Sequence, residues 1–351
     1  MVSRTTLTLV ITVGVGAGCG GKGGAKGDGG ADGPTVTSAW TARDLGVGRC
    51  VAINGGGVLL GLDEAGGTFT VTADGTRTPL GAWQAGAMAI GSAIADDGTV
   101  VGYGESKAGR TAIRWKDGVW SVIAGLSPGW SAAVGIGPDG RVVGVKSHGA
   151  PGELIGFVVA PDGAVGALPG APTALGSAGY LATAASAIGI VETASGETHA
   201  AVFAGAAPRD LGTLGGPTSL PYGANARGDV VGVAENATKV GRAFLSRASG
   251  GALVDLGVAP AAVSSEARGI DDAGDVAGNV YDRLGVARPV IFVPGKTPVE
   301  IMPVDASGKR WLAARVAAMA GDGKLAGWGL PPAGADGGAE DLHCVLWTKE
   351  K

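Results

Sequence analysis

The stretch "DDGTVVG", Asp96 to Gly102, decides how this chain is read, because the chain keeps returning to it. "PDGRVVG" fills Pro138 to Gly144, "ARGDVVG" Ala226 to Gly232, and "DAGDVAG" Asp272 to Gly278. Each copy is a tight hairpin followed by a strand: a turn glycine supplies positive φ, and an apolar pair starts the strand. Aligned on the last glycine, the copies fall at Gly61, Gly102, Gly144, Gly189, Gly232, Gly278 and Gly327. The fourth is degenerate, with Ala185 where a turn glycine is expected. A period in the forties built from strands is the signature of a propeller with one four-stranded unit per repeat. The expectation is an all-β chain whose residues 36–351 form a seven-bladed β-propeller.

Each repeat reads as four strands. The first is a run of small residues such as "CVAIN" (Cys50 to Asn54), and the second holds the motif glycine. "TAIRW" (Thr111 to Trp115), "HAAVF" (His199 to Phe203) and "RAFLS" (Arg242 to Ser246) are third strands. The fourth often ends in Asp-Leu-Gly, as in "PRDLG" (Pro208 to Gly212) and "LVDLG" (Leu253 to Gly257). The last repeat stops after a third strand, "HCVLWTKEK" (His343 to Lys351). The first is preceded by an unattached fourth strand, "AWTARDLG" (Ala39 to Gly46). Ring closure joins the two: the N-terminal strand is expected to complete the last blade and leave no open edge. Cys50 and Cys344 fall at this seam, as a disulfide clasping the ring or as two buried thiols.

Composition agrees with many short strands. Glycine is 68 of 351 residues, with no Gly-X-Y period. Charge is nearly balanced, 27 basic against 31 acidic residues, with no basic run. That argues against a nucleic-acid partner, which needs a concentrated positive patch. Residues 1–18 read as a signal peptide, with Arg4 before an apolar stretch, Leu7 to Val15, too short to span a bilayer. "GAGC" (Gly16 to Cys19) resembles a bacterial lipobox, which implies a lipid on Cys19; the alternative is an ordinary signal peptide and a secreted chain. Gly20 after the cysteine resembles the outer-membrane sorting pattern. Residues 19–35 are glycine-rich and suit a flexible tether.

"DLGTLGG" (Asp210 to Gly216), "AINGGGVLLG" (Ala52 to Gly61) and "HAAVF" together resemble the HAF-repeat family of extracellular proteins. The resemblance covers residues 40–351. It implies export and a repeated β architecture, and brings no reaction and no catalytic residues.

Long connections between fourth and first strands, and between second and third, share one end of a propeller, where binding loops are expected. Trp83, Trp130, Tyr180, Tyr222 and Trp311 are read as aromatics of five such connections, either platforms for a glycan or protein partner or plugs over the core. Lys309 and Arg310 flank Trp311, and Tyr281 and Arg283 mark a second candidate loop. His148, His199 and His343 have no metal-ligand spacing, and aspartates beside turn glycines are what hairpins demand. No catalytic residue, metal or cofactor is assigned. Glu153, Glu266, Asp282 and Glu340 lie toward the long-loop end, and no sequence spacing joins them as a carboxylate pair. The expected function is non-catalytic: a monomeric envelope scaffold or surface adhesin, membrane-anchored through Cys19 and binding an envelope protein or glycan. The alternatives are a hydrolase or lyase acting on extracellular glycans, favoured by converging carboxylates, and a structural surface protein with no discrete ligand.

Overall fold

The computed structural model describes residues 40–350 except 86, 108, 127–128, 149–152, 169–175 and 333–340. The signal peptide, Cys19, the tether, residues 36–39 and Glu340 lie outside the described residues. Among the described residues the structure is all β, with no helix. β1 (Trp40–Val47) leads into β2 (Arg49–Ile53), β3 (Leu59–Leu62), β4 (Thr68–Val71) and β5 (Arg77–Pro79). The same meander returns in β6 (Met88–Ile94), β7 (Val100–Ser106), β8 (Gly109–Lys116) and β9 (Val119–Val122). Next come β10 (Ser131–Ile136), β11 (Val142–Ser147), β12 (Leu154–Val159) and β13 (Val165–Ala167). They are followed by β14 (Ser177–Ala182), β15 (Ala187–Glu192), β16 (Thr198–Phe203) and β17 (Arg209–Asp210). Then β18 (Gly215–Ala224), β19 (Val230–Asn236), β20 (Gly241–Ser246) and β21 (Val254–Asp255) repeat the pattern. β22 (Ser264–Ile270), β23 (Val276–Tyr281), β24 (Ala287–Phe292) and β25 (Val299–Glu300) precede β26 (Ala313–Met319), β27 (Leu325–Leu330) and β28 (His343–Lys349).

Among the described residues, five sheets have four strands and one has eight. The eight-stranded sheet is two antiparallel meanders, β14 to β17 and β18 to β21, joined by one parallel pair, Thr198 with Thr218. β1 is the outer strand of the sheet β1-β28-β27-β26, running from Trp40 opposite Lys349 to Val47 opposite His343. First strands touch in sequence: β2 beside β6, β6 beside β10, and so on to β22 beside β26, with β26 also beside β2. The core lies between sheets, filled by one large side chain from each third strand, such as Phe69, Phe157, Phe203 and Phe244.

The repeated letters now have physical causes. In "DDG" the first aspartate reaches the preceding unit, where the Gly55 N–H donates to Asp96 Oδ1 at 2.6 Å. The second caps its own turn, accepting the Thr99 N–H on Asp97 Oδ1 at 2.9 Å. Asp272 repeats the first contact with the Ala226 N–H at 2.8 Å. In Asp-Leu-Gly, Asp210 Oδ1 accepts the Gly212 N–H at 2.7 Å, Leu211 is buried, and Gly212 takes φ +74°. The histidine of the third strand belongs to the same device: His199 Nδ1 meets Asp210 at 2.8 Å, and His343 Nδ1 meets Asp44 at 2.9 Å.

A second repeated device joins neighbouring units. Buried Ser131, Ser177, Ser219 and Ser265, each two residues before the first-strand partner of the motif glycine, accept an N–H from the preceding third strand. The donors are Ala112 (3.0 Å), Gly156 (3.1 Å), Ala200 (2.9 Å) and Ala243 (2.9 Å). At the equivalent place in β24 stands Pro289, which has no N–H, and the facing residue of β26 is Ala314, which has no hydroxyl. Between β4 and β6 the polarity is swapped: Thr68 Oγ1 donates to the Ala89 carbonyl at 2.6 Å and accepts the Gly91 N–H. At the seam, Cys50 of β2 and Cys344 of β28 form a disulfide, Cα atoms 5.0 Å apart. Ser219→Ala is therefore expected to cost about 1–3 kcal/mol, because it strands the buried Ala200 N–H. Ala314→Ser should gain nothing, since Pro289 offers no donor; urea unfolding of both variants checks the pair.

Candidate functional site

The first strands carry the chemistry. Each contains a β-bulge one residue past the partner of the motif glycine, at Val51, Ser92, Val134, Tyr180, Tyr222, Arg268 and Ala317. A bulge re-aims a side chain. The bulge residues, with the residues one before each partner, converge from different sheets. Ile90, Ala132 and Ala178 share one apolar cluster with Val51, Tyr180 and Leu220. In that sector the convergence is plain core.

The remaining sector is charged and aromatic, supplied by Tyr222 of β18, Glu266 and Arg268 of β22, Arg315 of β26 and Arg49 of β2. Glu266 is 9% exposed. Its Oε1 accepts from Arg268 Nε at 2.8 Å, from Asn279 Nδ2 at 3.0 Å and from the Tyr281 hydroxyl. Asn279 also ties β23 to β26, donating to the Val316 carbonyl and accepting its N–H. Burial pushes the Glu266 carboxyl up, but the Arg268 charge and the bonds from Tyr281 and Asn279 outweigh it and hold it below the usual range. Burial depresses Arg268, yet facing Glu266 raises it overall. Burial lifts the hydroxyls of Tyr180, Tyr222 and Tyr281, so all three stay neutral donors near pH 7.

Guanidiniums cover the rings. Arg268 lies 4.1 Å from the Tyr222 ring centroid, and Arg315 lies 5.1 Å from that of Tyr281. Arg315 and Arg49 lie 5.4 and 5.6 Å from that of Trp328. Arg315 Nη2 donates to the Tyr281 hydroxyl at 2.6 Å. The result is a half-buried cluster with three guanidiniums, one neutralised carboxylate and phenolic donors, suited to holding a ligand by hydrogen bonds and charge.

The aromatics named from sequence separate into two groups. Tyr180 and Tyr222 do not sit in connections; they stand on β14 and β18, inside this convergence, and Tyr281 joins them from the end of β23. The strand reading of "GGPTSLPYG" fails in sequence because Pro217 and Pro221 argue against a strand; β18 accepts them with two register shifts. The tryptophans pack instead. A Cβ at Gly104 would overlap the Trp83 ring, and one at Gly329 would come within 2.9 Å of Trp311, which is 5% exposed. Trp130 packs at the edge of the apolar cluster beneath Arg110. Arg283 and Lys309 are exposed, and Arg310 pairs with Glu300. Asp282 caps its own turn through the Leu284 and Val286 N–H groups. Arg49 and Arg315 share one repeat position, but other repeats fill it with Ile90, Ala132, Ala178 and Leu220, so with Arg268 and Trp328 they were not legible as a set.

No protein-family model matches the sequence, and no curated protein matches it. Among solved structures the chain is similar to oligogalacturonate lyase from Vibrio parahaemolyticus, with TM-score 0.56 and 9% identity over 87% of this chain and 93% of that one. It is similar to a prolyl endopeptidase, with TM-score 0.53 and 12% identity over 86% of this chain and 50% of that one. TolB from Acinetobacter baumannii is also similar, at TM-score 0.46 and 13% identity, over 72% of this chain and 64% of that one. This chain thus spans less than two thirds of that TolB. What is shared at these identities is the fold, and the fold is a β-propeller.

Proposed function

We propose that this chain is an exported, lipid-anchored binding module of a bacterial cell envelope: a HAF-type seven-bladed β-propeller, closed by β1, that takes its ligand at the axial cluster rather than on a rim of tryptophans. The repeat of the motif glycine, the order of contacts among first strands and the pairing of β1 with β28 support the ring. The His199–Asp210 and His343–Asp44 pairs give the HAF-type repeat a physical basis. One observation carries the binding reading. Glu266 is the one carboxylate among the converging first-strand positions, and three donors already hold it. A pair of carboxylates able to divide acid and base roles is not formed there. Export and the lipid on Cys19 rest on the sequence of residues 1–19.

The test is retention of envelope glycan or protein on the immobilised full chain, compared with Tyr222→Ala in the cluster and Lys296→Gln at the opposite end. A component kept by the intact chain and Lys296→Gln, and released by folded Tyr222→Ala, is the expected result. Equal retention by all three would remove the cluster as the binding site.

A further inference from the structure

We propose that Arg49 and Arg315, gathered around the Trp328 indole, form an oxyanion site that takes a carboxylate or phosphate group of the ligand. This deepens the binding reading above and rests on it. The two residues hold equivalent positions on the adjacent first strands β2 and β26, each one before the partner of a motif glycine. Both are half-buried. Neither guanidinium has a carboxylate within 4.0 Å among the described residues. Two cations are thus drawn to one indole, repelling each other, with no carboxylate in ion-pair range among the described residues. Such an arrangement costs free energy until an anion arrives.

The neighbouring carboxylate cannot serve. Glu266 already faces Arg268, Asn279 and Tyr281. The Tyr281 hydroxyl accepts from Arg315 Nη2 and donates to Glu266, so it fixes one arm of the Arg315 fork and leaves the other donors unused. Both guanidiniums lie over the Trp328 ring, 5.6 Å (Arg49) and 5.4 Å (Arg315) from its centroid. Pre-oriented guanidiniums with free edges match the paired oxygens of a carboxylate or phosphate, whereas a neutral sugar hydroxyl would leave both charges uncompensated.

Calorimetric titration of the full chain with D-glucuronate, inorganic phosphate and D-glucose at low salt tests the site. The expected result is one-to-one binding of glucuronate, phosphate or both, none of glucose, and affinity about tenfold or more weaker in Arg49→Gln/Arg315→Gln. Lys296→Gln should bind as the intact chain does. Arg49→Lys/Arg315→Lys keeps the charge and loses the fork; intermediate affinity is expected, and this variant decides the matter if the glutamine pair does not fold. Glucuronate alone identifies a carboxylate ligand, and phosphate alone a phosphate ester. No binding of either anion, glucose binding as tightly, or anion binding unchanged in the variants would overturn the site. Retention of an envelope component without anion binding would sink this inference and leave the binding module standing; loss of both would sink both.

Discussion

Deleting Trp40–Gly46 is expected to lower the melting temperature by at least about 10 °C and to drive the chain into oligomers. The deletion removes the outer strand of the sheet formed with β28, β27 and β26. It takes away Leu45, which shares a core cluster with Cys50, Phe69, Cys344 and Leu346, and Asp44, the partner of His343. It also bares the whole of β28 from His343 to Lys349, a seven-residue edge with unpaired N–H and C=O groups. An edge of that length is a template for a second copy of the chain. The Cys50–Cys344 bond still holds β2 to β28, across 294 residues of sequence. Adding reductant to the truncated chain should therefore cost about a further 3 kcal/mol. Light scattering and thermal unfolding, with and without reductant, check both steps. A truncated monomer with unchanged melting temperature would show that β1 does not hold the seam.

The fold was legible because its determinants are local and periodic. A turn glycine, an apolar pair and an Asp-Leu-Gly each perform one task per repeat, so the same physics rewrites the same letters. The interlocking serines were legible only afterwards: Ser131, Ser177, Ser219 and Ser265 recur at one offset, but a lone serine in a run of small residues carries no visible instruction. The site was the least legible part. Each bulge shifts strand alternation by one residue, so a simple inside–outside reading misplaces everything beyond it. Tyr222 and Arg268 sit on those bulges. Glu266 was visible as one of four acids placed toward the long-loop end, and the folding of β22 against β18 and β26 is what sets it among Arg268, Asn279 and Tyr281.

Arg268→Met is expected to destabilise the protein by about 3–5 kcal/mol at pH 7 and by clearly less at pH 4. In the intact protein the Glu266 carboxyl lies below its ordinary 4.5. Its stabilising contribution is present above that pH and fades as pH falls through the lower folded value. Removing Arg268 takes away the largest influence lowering the carboxyl and leaves burial opposed by the Tyr281 and Asn279 bonds, so the carboxyl is expected to be raised in the variant. A raised carboxyl reverses the sign: the penalty is absent below 4.5, where the group is neutral folded or unfolded, and grows as pH climbs through the raised value. Urea unfolding of the intact chain and Arg268→Met at pH 7 and pH 4 measures the gap. Glu266→Gln/Arg268→Met should recover most of the loss at pH 7, since no buried charge remains to be answered. An identical cost at both pH values would mean that Arg268 acts by packing on Tyr222 alone. If the gap narrows toward pH 4, Glu266 is committed to Arg268, and the uncompensated charge of the cluster belongs to Arg49 and Arg315.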